Sequence, residues 1–230
     1  MSMTGNPEQW REPFPENEIP FILTAVLRCM ADERKKSQDE HENAISIRLW
    51  KKLRLDQELR QRPVLPLPEV WEIYENSPES SVGRLDIGFI YSTGISHPWP
   101  IFAIEAKRLH VTFQSGWKSL VPEYVTSKTR KTVEEEQGMM CFVSGRYSHG
   151  LDAGAMLGYV FDGNVRGARD SISKTINNHA AKLKLNVIGV LRNSQIVPNQ
   201  SEILESLHQS PGETTGRSKS FTIYHLLVAV

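Results

Sequence analysis

The segment Gly83-Arg-Leu-Asp-Ile-Gly-Phe-Ile90, followed after one loop by Ile101-Phe-Ala-Ile-Glu-Ala-Lys-Arg108, decides how the rest of the chain is read. Both halves read as strands, with Ser92 to Trp99 as the connection. Side chains alternate between the faces of a strand, so Ile101, Ala103, Glu105 and Lys107 share one face while Phe102, Ile104 and Ala106 take the other. Folding the two strands back about the centre of the loop sets Asp86 opposite Glu105. Two carboxylates across a sheet repel, and burying them unpaired is costly, so the arrangement calls for a cation or a proton between them.

Around this pair lie 230 residues, enough to bury a substantial core, and one large α/β domain over residues 21–230 is expected behind an extended arm over residues 1–20. The arm is polar and carries Pro7, Pro13, Pro15 and Pro20. Lys plus Arg and Asp plus Glu both number 27, so the net charge gives no argument for nucleic acid, and any such binding must come from a local basic surface. Cys29 and Cys141 have no metal-ligand spacing and sit among apolar neighbours, which predicts buried free thiols in a reducing compartment. No signal peptide is recognised, and no apolar run approaches the ~20 residues of a membrane span; the expectation is a cytoplasmic protein with no membrane partner.

In chain order, Phe21 to Met30 suits a short helix packed on the core. Charged residues crowd from Asp32 to Glu42, and Ile45, Leu49 and Leu53 then trace the buried stripe of an amphipathic helix. Glu42 lies on or beside that stripe, whereas Glu40 is expected to face water. Arg and Lys recur from Arg48 to Arg62, a pattern that suits phosphate contacts or a solvated helix face. Pro63, Pro66 and Pro68 end the helical region, Glu69 to Glu75 reads as a first strand, and Asn76 to Ser81 reads as a turn. Ser119 to Gln137 carries helix formers towards its end, with Pro122 tolerated near a helix start and Gly138 as a stop. Met139 to Ser144 reads as a buried strand, Leu151 to Phe161 as helical with Gly154 and Gly158 for close packing, and Asn164 as the cap of a helix to about Ala181. Leu183 to Leu191 is β-rich, Ser206 to Ser220 a polar loop, and Phe221 to Val230 a closing strand in which His225 reads as a structural histidine.

An aspartate followed by Glu-x-Lys at the end of an adjacent strand, here Leu85-Asp86 and Glu105-Ala106-Lys107, resembles the core of the PD-(D/E)xK nucleases, the restriction-endonuclease-like superfamily. Leu85 stands where the superfamily usually has proline. The resemblance implies a three-layer α/β/α fold with a mixed central sheet, and the order of elements read from the residues agrees with it. It also implies that Asp86, Glu105 and the main-chain carbonyl of Ala106 hold Mg²⁺, with Mn²⁺ able to substitute, that Lys107 orients or helps deprotonate the attacking water, and that Glu42 supplies the additional glutamate of the first core helix. Tyr124-Val125, Gly138 to Tyr147, Met156 to Val160 and Ile223 to Leu226 look similar to small nuclease-like bacterial proteins found among anti-phage defence genes. That likeness implies Arg146 and Tyr147 in the active-site cleft, and Gln137 in the place of a glutamine that some relatives carry on the helix after the motif.

The implied function is a Mg²⁺-dependent nuclease acting on nucleic acid, DNA favoured, as a defence effector, in company with a protein partner such as a helicase, ATPase or sensor subunit. The alternative is a non-catalytic nucleic-acid-binding or regulatory subunit that keeps the nuclease fold. A structural reading stands beside both: Asp86 pairs with Arg84 or Arg108, and Glu105 and Lys107 form an ion pair at a strand end. Other chemistries fit less well. Gly212-Glu-Thr-Thr-Gly-Arg-Ser218 is one residue short of a phosphate loop and has Arg217 in place of lysine. The sequence has no Gly-x-Ser-x-Gly elbow and no zinc spacing among its histidines.

Overall fold

The structure is a computed structural model, and it describes residues 14–72, 83–91, 101–130, 133–148, 151–186, 191–209 and 220–230. Within these, a seven-stranded mixed sheet carries helices on both faces. Its strands are β1 (Val64–Glu72), β2 (Gly83–Tyr91), β3 (Ile101–Leu109), β8 (Ala153–Val160), β9 (Arg192–Asn193), β10 (Ile203–Gln209) and β11 (Ser220–Ala229), in the order β1-β2-β3-β8-β11-β10-β9. The central pairs β3/β8 and β8/β11 are parallel and the outer pairs antiparallel. Two small hairpins lie outside it, β4 (Val111–Phe113) with β5 (Gly116–Lys118), and β6 (Ser127–Arg130) with β7 (Val133–Glu136).

One helical layer is α1 (Ile19–Met30) and α2 (Glu42–Leu53). The predicted stripe of α2 is there: Ile45, Leu49 and Leu53 are fully buried against Ile104, Ala106 and Tyr159 in one apolar cluster. Each such side chain stabilises the fold by about 1.5–3 kcal/mol. The opposite layer is α3 (Val121–Val125), α4 (Met139–Val143) and α5 (Val165–Asn178), packed on Ala103, Met156 and Ile223. Asn164 caps α5 as expected, its side chain accepting the Gly167 N–H at 2.9 Å. Phe14, from the expected loose arm, is buried and stacks on Phe102 with ring centroids 5.9 Å apart.

Several expectations are corrected. The first strand begins at Val64, not Glu69, because β1 is an edge strand in which Pro66 and Pro68 lack only N–H groups that no neighbour needs. Leu151 to Phe161 is not helical but the central strand β8; buried on both faces, it shows no alternation, and its glycines admit side chains. A Cβ on Gly154 would lie 2.3 Å from the Phe142 ring. Met139 to Ser144 is a helix rather than a strand: every residue of α4 is buried, and a short segment buried all round has no readable period. Ser119 to Gln137 forms only the short α3 and then the β6/β7 hairpin, so Glu134, Glu135 and Glu136 lie on strand β7 and not at a helix C-terminus, where the macrodipole would disfavour them. Leu183 to Asn186 pairs only through a Leu185–His208 bridge, and residues 187–190 lie outside the described residues, as do Asn76 to Ser81 and Gly212 to Ser218. Cys141 is buried as predicted, whereas Cys29 is half-buried.

The start of the expected polar loop, Ser206 to Gln209, belongs to β10 because its polar side chains find buried partners. Burial pulls His208 down to about 4, and burial with the His208 charge pulls His225 down to about 3, so both rings are neutral. The Leu183 carbonyl only accepts, so His208 Nδ1 donates to it at 2.7 Å and Nε2 is left as an acceptor. Ser206 then donates to His208 Nε2 and accepts from His225 Nε2, both at 2.8 Å, and Tyr124 donates to His225 Nδ1 at 3.0 Å. This one-way chain ties α3 to β11 and β10. Ser206→Ala leaves the His225 N–H without an acceptor and should cost about 1–3 kcal/mol. Because both folded values lie below the ordinary 6.5, the unfolded chain takes up protons first on acidification. Their contribution is therefore constant above about pH 7 and is lost from pH 6.5 downward through 4 and 3. Thermal unfolding across that range should fall more steeply for wild type than for His208→Gln; parallel curves would remove the histidines as the cause.

Candidate active site

The β2/β3 ladder runs from Ile90↔Ile101 to Ile87↔Ile104, which brings Asp86 level with Glu105 at the next step, as the loop symmetry predicts. Here the ladder gives way to a side chain: Asp86 Oδ2 accepts the Ala106 N–H at 2.7 Å. The aspartate thus takes the place of a backbone partner on β2. In a strand pair one residue offers its N–H and C=O to the same neighbour, so the Ala106 carbonyl also faces β2.

Glu105 and Lys107 point into the layer of α3 and α4 and are buried, at 4% and 8% exposure. Lys107 Nζ donates to Glu105 Oε1 at 2.5 Å, whereas Glu105 Oε2 is buried with no hydrogen-bond partner among the described residues. Burial, then the Glu105 charge, pushes the Asp86 carboxyl well above the usual range, against the opposing pull of Lys107 and the Ala106 N–H. Burial alone would lower the Lys107 ammonium, but Glu105 and Asp86 outweigh it and hold the charged form. Fully charged, Asp86, Glu105 and Lys107 sum to −1, so one carboxylate is left without a counter-charge.

Glu42 opens α2, where its Oε2 accepts from Arg108 Nε at 3.0 Å; Arg108 also donates to the Glu40 carbonyl at 3.2 Å. Glu42 stands close enough for its charge to raise both Asp86 and Lys107. Glu40 does not face water as expected: its carboxylate is enclosed and ion-paired with Arg48, which also binds Glu33. The α4 turn supplies the inner wall. The Cys141 carbonyl accepts the N–H groups of Arg146 and Tyr147 at 2.8 and 3.0 Å, and the Tyr147 ring meets Phe142 edge-on at 5.5 Å. Burial first, then Glu105, raises both the Tyr147 hydroxyl and the Cys141 thiol, the latter to about 11, and Asp86 adds to the effect on Tyr147. Arg146 stands at the rim, 3.3 Å from Glu136 Oε2. Gln137 lies in the turn before α4 rather than on a helix, its backbone bound to Thr126 and Met140.

The structure therefore gathers Asp86, Glu105, Lys107 and Glu42, with Tyr147 against the carboxylates. The sequence offers Arg108 as a partner for Asp86 rather than for Glu42, which it holds, and does not place Cys141 at the site. Alternation alone would have sent Arg108 to the α2 side, opposite Lys107; nothing in the sequence marked Cys141, read as a strand residue. Of the two expected partners for Asp86, Arg108 is committed to Glu42, and the Arg84 side chain lies outside the described residues. The Glu105–Lys107 ion pair is present.

Among the described residues no group of three or more His, Cys, Asp or Glu side chains gathers closely enough to hold a metal ion. Two opposed carboxylates, one with a bare buried oxygen, and a carbonyl on the same side nonetheless fit a hard cation that keeps several waters, as Mg²⁺ does. No family model, curated protein or solved structure matches the chain.

Like-charge crowding at the site is open to a direct stability test. Asp86→Asn keeps an oxygen for the Ala106 N–H and removes one of the two charges. It should raise the metal-free Tm at pH 8 by about 2–4 °C, equivalent to roughly 1 kcal/mol for a chain of this size. Lys107→Met strands Glu105 and should cost about 3–5 kcal/mol. A lowered Tm for Asp86→Asn by calorimetry would show that the two carboxylates do not oppose each other.

Proposed function

We propose that the chain is a divalent-metal-dependent phosphodiester hydrolase of the restriction-endonuclease-like type, cutting nucleic acid and most readily DNA. The observation that carries this reading is the carboxylate pair Asp86 and Glu105, level on adjacent strands, with Glu105 Oε2 buried and without a partner among the described residues and Lys107 two residues on. The mixed sheet with helices on both faces supports the fold half of the reading.

Asp86, Glu105 and the Ala106 carbonyl would hold the ion, Mg²⁺ or Mn²⁺. A divalent ion there supplies a Lewis acid for the phosphoryl oxygen and a water of lowered pKa. Lys107, charged between two carboxylates, orients the attacking water and offsets negative charge that grows on the phosphate. Glu42, fixed by Arg108, accepts a hydrogen bond from that water. Tyr147 and Cys141 close the inner wall and keep bulk water from the carboxylates, which strengthens each interaction made there. Arg146 at the rim meets the substrate backbone. A nuclease of this kind acting in defence would need restraint by a partner such as a helicase, ATPase or sensor subunit.

The closed Glu105–Lys107 pair favours a second reading, in which the fold is kept for binding or regulation and the lysine is structural. Cleavage separates the two. Purified protein with Mg²⁺ or Mn²⁺ should cut plasmid or linear DNA and stop on chelation, and Asp86→Asn should lower the rate at least about 100-fold while remaining folded. Equal rates for variant and wild type would sink the site. An absence of cutting by the isolated chain and with any copurifying partner would leave the binding module.

A further inference from the structure

The basic segment Arg48 to Arg62 sorts its charges in a way that composition hides. Arg48 and Lys52 are taken up by Glu33 and Glu40, and Arg62 by Glu18. The segment's own acids, Asp56 and Glu58, turn to Arg28 of α1. Lys51, Arg54 and Arg60 are left exposed, with no ion pair to any described residue. These three line one cleft of about 670 Å³ beside the edge strand β1, together with Arg62 and no acidic residue. Its floor includes Leu53, Leu59 and Val64. The Arg54 guanidinium lies over the Trp50 ring at 5.1 Å, and Trp50 is itself fixed by a 3.1 Å bond to the Pro66 carbonyl. An arginine stacked in this way loses little further freedom when its planar fork meets a phosphate.

We propose that this cleft binds the phosphodiester backbone of a nucleic-acid duplex, away from the point of cutting. The inference rests on the nucleic-acid half of the proposed function but not on metal or catalysis. α2 links the two places: Glu42 begins it beside the carboxylates, and Arg54, one turn beyond Lys51, caps its far end about 18 Å away at 1.5 Å per residue. At 3.4 Å per phosphate along one strand, that is about five base pairs. Cations without base-reading partners neutralise phosphates irrespective of sequence, so the cleft supplies affinity and register, not specificity. In a chain of zero net charge, it is the local basic surface that nucleic-acid binding would require.

The test is duplex DNA binding by full-length protein in EDTA, read by fluorescence anisotropy across a salt series. Lys51→Ala/Arg54→Ala/Arg60→Ala should weaken binding equally for unrelated sequences and reduce the slope of log K against log salt by about 2 to 3, one per lost contact. The exposed positions leave the fold untouched, checked by an unchanged Tm. The charge-keeping Lys51→Arg/Arg54→Lys/Arg60→Lys variant should retain most of the slope. Wild type that binds duplex through the cleft in EDTA yet never cuts with Mg²⁺ or Mn²⁺ removes the catalytic reading and leaves this one standing. An unchanged slope in the triple alanine variant overturns the inference. So does competition by polyglutamate as effective as by DNA at equal charge, which would assign the cleft to an acidic protein partner.

Discussion

Two like charges brought level on neighbouring strands and taken out of water cannot both be kept without a positive partner, and this constraint governs the centre of the molecule. Lys107 answers one carboxylate, by a short bond to Glu105 Oε1. The Ala106 N–H answers part of the other, at Asp86 Oδ2. What remains is a Glu105 oxygen with no partner among the described residues and an aspartate pushed towards its protonated form. Apolar residues in place of this set would give a more stable sheet, since a buried ion pair seldom repays its desolvation. The proposed function gives the set a purpose as a ligand site, and a hard divalent cation suits two carboxylates.

The scaffold fits that requirement. β3 is central, antiparallel to β2 over Ile101 to Ile104 and parallel to β8 from Ile104 to Leu109, so its C-terminal end is held by β8 on one edge and by the Asp86 side chain on the other while its side chains reach both helical layers. Glu105 and Lys107 meet the α4 turn with Cys141 and Tyr147; Arg108, the next residue along, turns to α2 and fixes Glu42. The opposing directions of successive side chains thus draw both layers onto one point. The Tyr124–His225–Ser206–His208 chain ties the far strands to α3 in the same layer as the α4 wall.

Where the sequence carried a clear period, it was legible. The α2 stripe of Ile45, Leu49 and Leu53 and the whole of β2 and β3, including the level of Asp86 with Glu105, follow from spacing of 3.6 and of 2. Where burial is complete the period vanishes: β8 and α4 are buried on every face, and the sequence of each suits the other's type. β10 was hidden for the opposite reason, since Ser206 and His208 look like loop residues until their partners, distant in sequence, are known. At the site, the core residues were legible because they share a short motif. Arg108 and Cys141 were not, because their roles depend on which helix the folded chain lays against β3. Nor was the fate of the basic segment legible: the residues that consume Arg48, Lys52 and Arg62 lie as far away as Glu18.

The central claim is that Asp86 and Glu105 share a divalent cation. The most direct measurement is anomalous diffraction from crystals soaked in Mn²⁺. A shared ion gives a single strong peak about 2.1 Å from one oxygen of each carboxylate, with the second Glu105 oxygen engaged. No peak at millimolar Mn²⁺, with Lys107 still closed on Glu105 and the second oxygen still bare, would contradict it.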